Sequence, residues 1–168
     1  MQIFTEDLTE VESLPRPRVL DYLMRSHQSL VIQYAEHVVH TWEDKNPLFH
    51  NTLIHFYKEK AVSDDTSAPH ARKKLSDFLQ KSRHYTPDTI LMNFPTNTLL
   101  EERSVILGRL GRHEQALGIF VRVLGDIDRA VTYCNSVYDR NVPGTQDVSG
   151  GLIIINLITF STILLGVC

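Results

Sequence analysis

Cysteine is nearly absent from this chain. Its 168 residues hold only two, Cys134 and Cys168. Two thiols make no disulfide framework, and without a C-x-x-C pair or Cys/His zinc spacing there is no zinc-module pattern. The shortage suits a reducing, cytosolic compartment. An excess of one charge sign is lacking too. Lys and Arg number 17 against 20 Asp and Glu, a formal net charge of −3 with His neutral. No basic balance therefore argues for nucleic acid. The only basic run, Arg72-Lys73-Lys74, reads as a solvated helix face rather than an anion-binding patch. The acidic N-terminus carries no signal-peptide pattern. No G-x-S-x-G, P-loop or G-x-G-x-x-G occurs, and no alternating stretch reads as a strand.

Histidine is the one metal-competent type in quantity, at eight residues. His37 and His40 lie about one turn apart on a helix, with Glu36 and Glu43 nearby. A zincin would need H-E-x-x-H with the base inside the pair, and this spacing differs. His50 and His55 are five apart, poorly placed for one face. The reading is surface or rim histidines, with no metal and no cofactor. Paired acids give no catalytic pair either. Glu101 and Glu102 are helix neighbours whose side chains diverge, and Asp64 and Asp65 fall in a loop that would not hold them in place. Gly108-Arg109-Leu110-Gly111 superficially suggests a phosphate turn, but a close helix crossing and a helix stop explain its glycines better. No catalytic residue is assigned, and the chain is not read as an enzyme.

What the sequence has in abundance is helical periodicity. A helix beginning near Pro17 buries Val19, Leu20, Leu23 and Met24. A second carries Val31, Tyr34, Ala35, Val38 and Trp42; Trp42 continues its apolar face. Pro47 separates a third, with Phe49, Leu53, Phe56 and Tyr57 on one side. The polar cluster from Val62 to His70 is the one internal loop, compatible with phosphorylation or insertion. Ala71, Leu75, Phe78 and Leu79 then face inward. Thr86-Pro87-Asp88 reads as N-cap, Pro at N1 and a first-turn acid. Thr98 and Glu101 have capping-box spacing for a helix running from Leu99 to Leu110. Gly111 is placed to close it in the left-handed conformation. The next helix runs from His113 to Leu124, with Ala116, Phe120 and Leu124 in a stripe flanked by Leu117, Val121 and Val123. Gly125 ends it and Asp126 caps a last helix bearing Ala130, Tyr133, Cys134 and Val137. Cys134 is expected to be buried and inert. Mean helix lengths near a dozen residues give about eight helices before Pro143. Each helix pair buries one face and needs a neighbour, the pattern of an all-α fold built as an α-solenoid of antiparallel helix pairs.

The stretch FPTNTLLEERSVILGRLGRHEQALGIFVRVLGDIDRAVTYCNSVYDRN resembles the clathrin-heavy-chain-type repeat of the vacuolar-sorting HOPS subunits of the Vam/Vps family, which carry an N-terminal citron-homology domain. The TGF-β-receptor-associated proteins are their relatives. Ile3-Phe4-Thr5-Glu6-Asp7-Leu8 through Glu12-Ser13-Leu14-Pro15 resembles a preceding segment, as does Tyr34 to Tyr57 with Glu36-His37-Val38-Val39-His40, Trp42 and Phe49-His50-Asn51. The resemblance spans residues 3–147. It implies a non-catalytic scaffold that helps tether late endosomes, autophagosomes and lysosomes before fusion, peripheral on their cytoplasmic faces. Its implied partners are other HOPS subunits and a late-endosomal Rab GTPase. Family members are several-fold longer, with a propeller and a cysteine-rich zinc module that have no counterpart here.

Two segments follow: 1–147 as solenoid and 148–168 as an apolar tail without charge. Leu152 to Phe160 and Ile163 to Leu165 are strongly apolar. About 18 residues at roughly 1.5 Å each reach roughly 27 Å, just short of a hydrocarbon core of about 30 Å. Three readings stand open. Insertion through 151–168 would make a tail-anchored membrane protein with a cytosolic helical interaction domain. The β-branched content also suits an aggregation-prone strand. Val148-Ser149 matches GTG-AGT, a common intron start, so the tail would be translated intron.

Overall fold

The computed structural model describes residues 15–140. These form α1 (Arg16–Ser26), α2 (Gln28–His40), α3 (Pro47–Val62), α4 (Ala68–Lys81), α5 (Pro87–Met92), α6 (Leu100–Arg109), α7 (His113–Gly118), a π-helical turn (Ile119–Val123) and α8 (Ile127–Arg140). No strand occurs among the described residues, so the chain is all-helical there. The tail from Val148 to Cys168, with every reading attached to it, lies outside them. No described helix is long and apolar enough to cross a membrane.

The chain divides into two compact units within α6, at Glu102 and Arg103. In the first, consecutive helices pack on one another: α1 on α2, α2 on α3, α3 on α4, with α5 against α3. One core holds Val19, Leu20 and Leu23 from α1, Val31, Tyr34 and Val38 from α2, and Phe49 from α3. Ala71, Leu75, Phe78 and Leu79 of α4 are buried as their spacing predicts. In the second unit, Leu117 and Phe120 pack against Ala130 and Cys134 of α8. Burial pushes the Cys134 thiol pKa up, which suits an inert core residue.

Punctuation chemistry explains most boundaries. Pro17 and Pro47 lie in the first turns of α1 and α3, where a missing N–H costs nothing. The Asn46 side chain accepts from the Leu48 N–H at 3.0 Å. Gly111, at φ +71°, closes α6 in a Schellman turn. The Arg112 N–H reaches the Leu107 carbonyl at 2.9 Å and the Gly111 N–H reaches Gly108 at 3.2 Å. Gly125, at φ +63°, stops the π turn, and Asp126 caps α8 by accepting from the Arg129 N–H at 2.9 Å.

Several boundaries depart from the periodicity. The polar loop is only residues 63–67, because α3 runs to Val62 and α4 takes up Ala68, Pro69 and His70. Trp42 lies beyond the end of α2, in a bend, though it still packs against the first core. Met24 is exposed rather than buried with Leu23. The Thr98–Glu101 capping box falls out of register: α6 starts at Leu100, and Leu99 before it has φ +54°. A left-handed residue cannot be the first helical one, so the helix cannot begin directly after Thr98. The stripe through Leu124 also fails. The Leu124 N–H bonds to the Ile119 carbonyl, five residues back, at 2.9 Å. That wider turn rotates later side chains out of the 3.6-residue register, leaving Val123 62% exposed and Leu124 exposed while Phe120 stays buried. The Val137 side chain lies outside the described ones.

Candidate interaction surfaces and the interlocks that present them

Several of the residues singled out for chemistry are occupied as structural ties. Glu36 of α2 accepts from the Lys74 ammonium of α4 at 2.7 Å and from the Tyr57 hydroxyl of α3. Burial works to raise its carboxyl pKa, but those two hydrogen bonds outweigh it and hold the group below its ordinary value. Tyr57 is pushed up by burial and by the Glu36 charge. Its neighbours His37 and His40 do not converge. The His37 ring meets the Trp42 ring edge-on at 4.8 Å, with Nε2 buried and lacking a hydrogen-bond partner, while His40 meets Phe78 at 6.1 Å. Glu43 faces solvent.

His50 and His55 separate as their five-residue spacing expects. His55 is exposed and lies 3.2 Å from Glu59. His50 is buried rather than on the surface or rim as the sequence suggested, and it stacks on Phe78 at 5.7 Å. Its Nε2 is 2.8 Å from the Asp44 carbonyl and its Nδ1 is 2.8 Å from Ser82 Oγ. The network assigns an Nε2–H that donates to Asp44 and an Nδ1 that accepts from the Ser82 hydroxyl. Desolvation lowers the His50 pKa, which favours that neutral ring. Asp44 is the hub of this corner. Its carboxylate takes Arg16 at 2.9 Å and the Asn46 N–H at 2.9 Å, and the Arg16 guanidinium also lies 4.6 Å from the centre of the Trp42 ring. Sequence spacing missed this hub, since Arg16 lies 28 positions away on another helix.

The basic run proves to be tied down as well as solvent-facing. Arg72 grips the buried Glu102, with Nε at 2.9 Å and an η-nitrogen at 3.3 Å, and reaches Glu101 at 3.7 Å. Glu101 and Glu102 differ in burial as adjacent helix residues should, yet both approach one arginine. In the second unit, Gly108 is small because of its neighbour: a Cβ there would lie 2.5 Å from the Tyr133 hydroxyl. That hydroxyl shares a hydrogen bond with His113 Nδ1 at 2.8 Å, and desolvation lowers the His113 pKa. Asp64 and Asp65 sit in the 63–67 loop, where the Asp65 carboxylate accepts from the Thr66 and Ser67 hydroxyls. No group of three or more His, Cys, Asp or Glu among the described residues could hold a metal ion.

What remains open is apolar. On the second unit Val123, Leu124, Ile127 and Val131 are exposed around the π turn and α8. Ile127 and Val131 lie four residues apart, one turn along one face. On the first unit Met92 is 85% exposed beside Val62, and Met24 and Leu48 line a groove along α3 and α5.

Comparison with known proteins adds the following. A family model described as the Vps41 TPR-like region matches residues 8–144. The mouse Vam6/Vps39-like protein is 44% identical over 168 residues, covering 88% of this chain and 19% of that protein. The Drosophila melanogaster vacuolar protein sorting-associated protein 39 homolog is 45% identical over 150 residues, covering 84% and 17%. The vacuolar morphogenesis protein 6 of Saccharomyces cerevisiae is 29% identical over 153 residues, covering 83% and 14%. The chain thus spans less than a fifth of the length of these relatives. No solved structure matches.

Proposed function

Starting from the chain's membership of the Vps41 TPR-like family, we propose that it is a scaffold segment of a HOPS-type tethering complex. In this reading it serves vesicle-mediated transport in endosome or autophagosome fusion with lysosomes or vacuoles. The helices form an α-solenoid of antiparallel pairs, and the segment performs no reaction. It holds surfaces in place for other subunits, on the cytoplasmic faces of late endosomes and lysosomes. The names of the relatives, which concern vacuolar sorting and morphogenesis, support the setting. The observation that carries the mechanism is the two-sidedness of the last helices. Leu117, Phe120, Ala130 and Cys134 are buried together, while Val123, Leu124, Ile127 and Val131 stay open. Each solenoid repeat offers its neighbour such a face, and a repeat or a subunit can cover it.

Co-immunoprecipitation of the full chain, and of residues 1–147, against the HOPS subunits tests this. Capture of a subunit by both, lost in a Val123→Asp/Ile127→Asp variant of unchanged helicity, is the expected result. A helical, soluble 1–147 that captures none would confine family binding to regions beyond this chain.

The uncharged stretch from Leu152 to Leu165 favours a second reading, a tail-anchored protein with a cytosolic interaction domain. Resistance to carbonate extraction that disappears in 1–147 is its expected signature. Complete extraction of the full chain would remove it.

A further inference from the structure

The corner between α4 and α5 holds a feature that the scaffold reading leaves unused. Thr86 is followed by Pro87, and none of the other six prolines follows Ser or Thr. Thr86 is exposed, in extended backbone at φ −95° and ψ 98°, and its side chain caps no helical N–H. The loop before it runs from Ser82 to Tyr85, with Arg83 and His84 exposed. The Thr86 amide is held by Asn51 Oδ1 at 2.9 Å, whereas Asn51 Nδ2 reaches its hydroxyl oxygen only at 3.4 Å. The backbone is therefore fixed, while the exposed hydroxyl oxygen accepts one long hydrogen bond and caps no helix. A kinase cleft takes its substrate as an extended strand, and proline at the next position keeps Thr86 out of the helical region.

The Thr66 and Ser67 hydroxyls make a useful contrast. Both are spent on the Asp65 carboxylate, at 3.2 and 2.9 Å, and a new phosphate there would face Asp64 and Asp65.

We propose that Thr86 is a phosphorylation site for a proline-directed Ser/Thr kinase, modified in the folded chain. The kinase's base takes the hydroxyl proton, Oγ1 bonds to the γ-phosphorus of ATP, the bond from that phosphorus to the β-phosphate oxygen breaks, and ADP leaves. The product carries about −1.5 to −2 charges at neutral pH. They arrive beside a groove that Asn51 itself lines, with Lys58 and His55 and no carboxylate. The modification thus adds negative charge beside Lys58 and His55, two residues from Asp88 and close to the Glu59 that His55 approaches.

The test is kinase treatment of the purified full chain with Mg-ATP, with the site located by tandem mass spectrometry. A peptide of residues 80–92 serves as the unstructured reference. We expect one phosphate, on Thr86, at a rate within about tenfold of the peptide. Thr86→Val should take up none, and Pro87→Ala should be slowed more than about tenfold by the same kinase, without the proline that sets the extended approach. Far-UV circular dichroism confirms that both stay helical. Phosphate found elsewhere with Thr86 unmodified overturns the proposal. So does a folded chain slower than the peptide by about a hundredfold or more, since the site would then need local unfolding to be reached.

Discussion

At the scale of single residues, backbone conformation and close contact decide more than hydrophobic pattern. Glu43 and Leu99 are the described non-glycine residues at positive φ, 51° and 54°. Their neighbourhoods differ. Leu99 is buried, so glycine there would remove core volume, whereas Glu43 is exposed. A left-handed L-residue costs roughly 1–2 kcal/mol, and glycine returns roughly half of that through its looser unfolded state. Glu43→Gly is therefore expected to stabilise the fold by about 0.5 kcal/mol, read as a higher midpoint in urea. Gly108 carries the opposite prediction. A methyl group at this site drives into the Tyr133 hydroxyl, and Gly108→Ala should cost about 1–3 kcal/mol. Tyr133→Phe removes the atom it strikes and leaves ring carbons at 3.2 and 3.3 Å. The double variant should thus lose clearly less than the sum of the two singles, and strict additivity in a denaturation cycle would refute the contact. The need for a glycine at 108 was readable from the sequence as a close crossing. The partner was not, because Tyr133 lies 25 positions away and periodicity carries no information about pairing.

At the scale of elements, Arg72 joins α4 to the first turn of α6, closely through Glu102 and more distantly through Glu101. Glu102 is 2% exposed and held by two nitrogens of Arg72, whose own side chain is 44% exposed. Removing the arginine strands a buried carboxylate. Water reaching the arginine side softens the loss, so Arg72→Met is expected to destabilise by about 2–3 kcal/mol. Arg72→Met/Glu102→Leu, which leaves no charge behind, should recover most of it. If the single variant melts like the parent, the pair is ornamental. Composition and spacing gave Arg72 to a solvated face, and nothing local contradicted that. A charge run looks the same whether or not a carboxylate 30 residues later folds onto it. The π turn tells the same story. Residues 113–124 satisfy a helical stripe on paper, but one hydrogen bond five residues back shifts the register and exposes Val123 and Leu124.

For the whole molecule, titration makes the stability of both units depend on acidity. His50 in the first unit and His113 in the second both have pKa values lowered by desolvation from 6.5. A histidine depressed in the folded state binds its proton more readily when unfolded. Its contribution is complete above about pH 6.5 and shrinks as pH falls below it. Glu36 is lowered from 4.5 by its hydrogen bonds against the pull of burial. Its contribution is present above that value and disappears as pH falls through the folded pKa. Unfolding free energy should therefore decline in two stages on acidification, first below about pH 6.5 and again below about pH 4.5. His50→Gln should flatten the first stage and Glu36→Gln the second. A profile flat from pH 7 to 5 would contradict the lowered His50 and His113 pKa values.

By itself the sequence determined the helical class, the eight helices of the described region, and the stops at Gly111 and Gly125 with the Asp126 cap. It also determined the inward face of α4. These depend on local chemistry: a 3.6-residue period, a proline's missing N–H, a glycine's freedom at positive φ. Only the tertiary structure decided that Asp44 gathers Arg16, Asn46 and His50, that Glu36 is shared by Lys74 and Tyr57, that Arg72 closes on Glu102, and that Val123 and Leu124 face outward. The long-range ties rest on groups from distant positions competing for the same buried polar atoms, and the outward turn of Val123 and Leu124 rests on the π turn. A period measured along one helix holds no record of that competition.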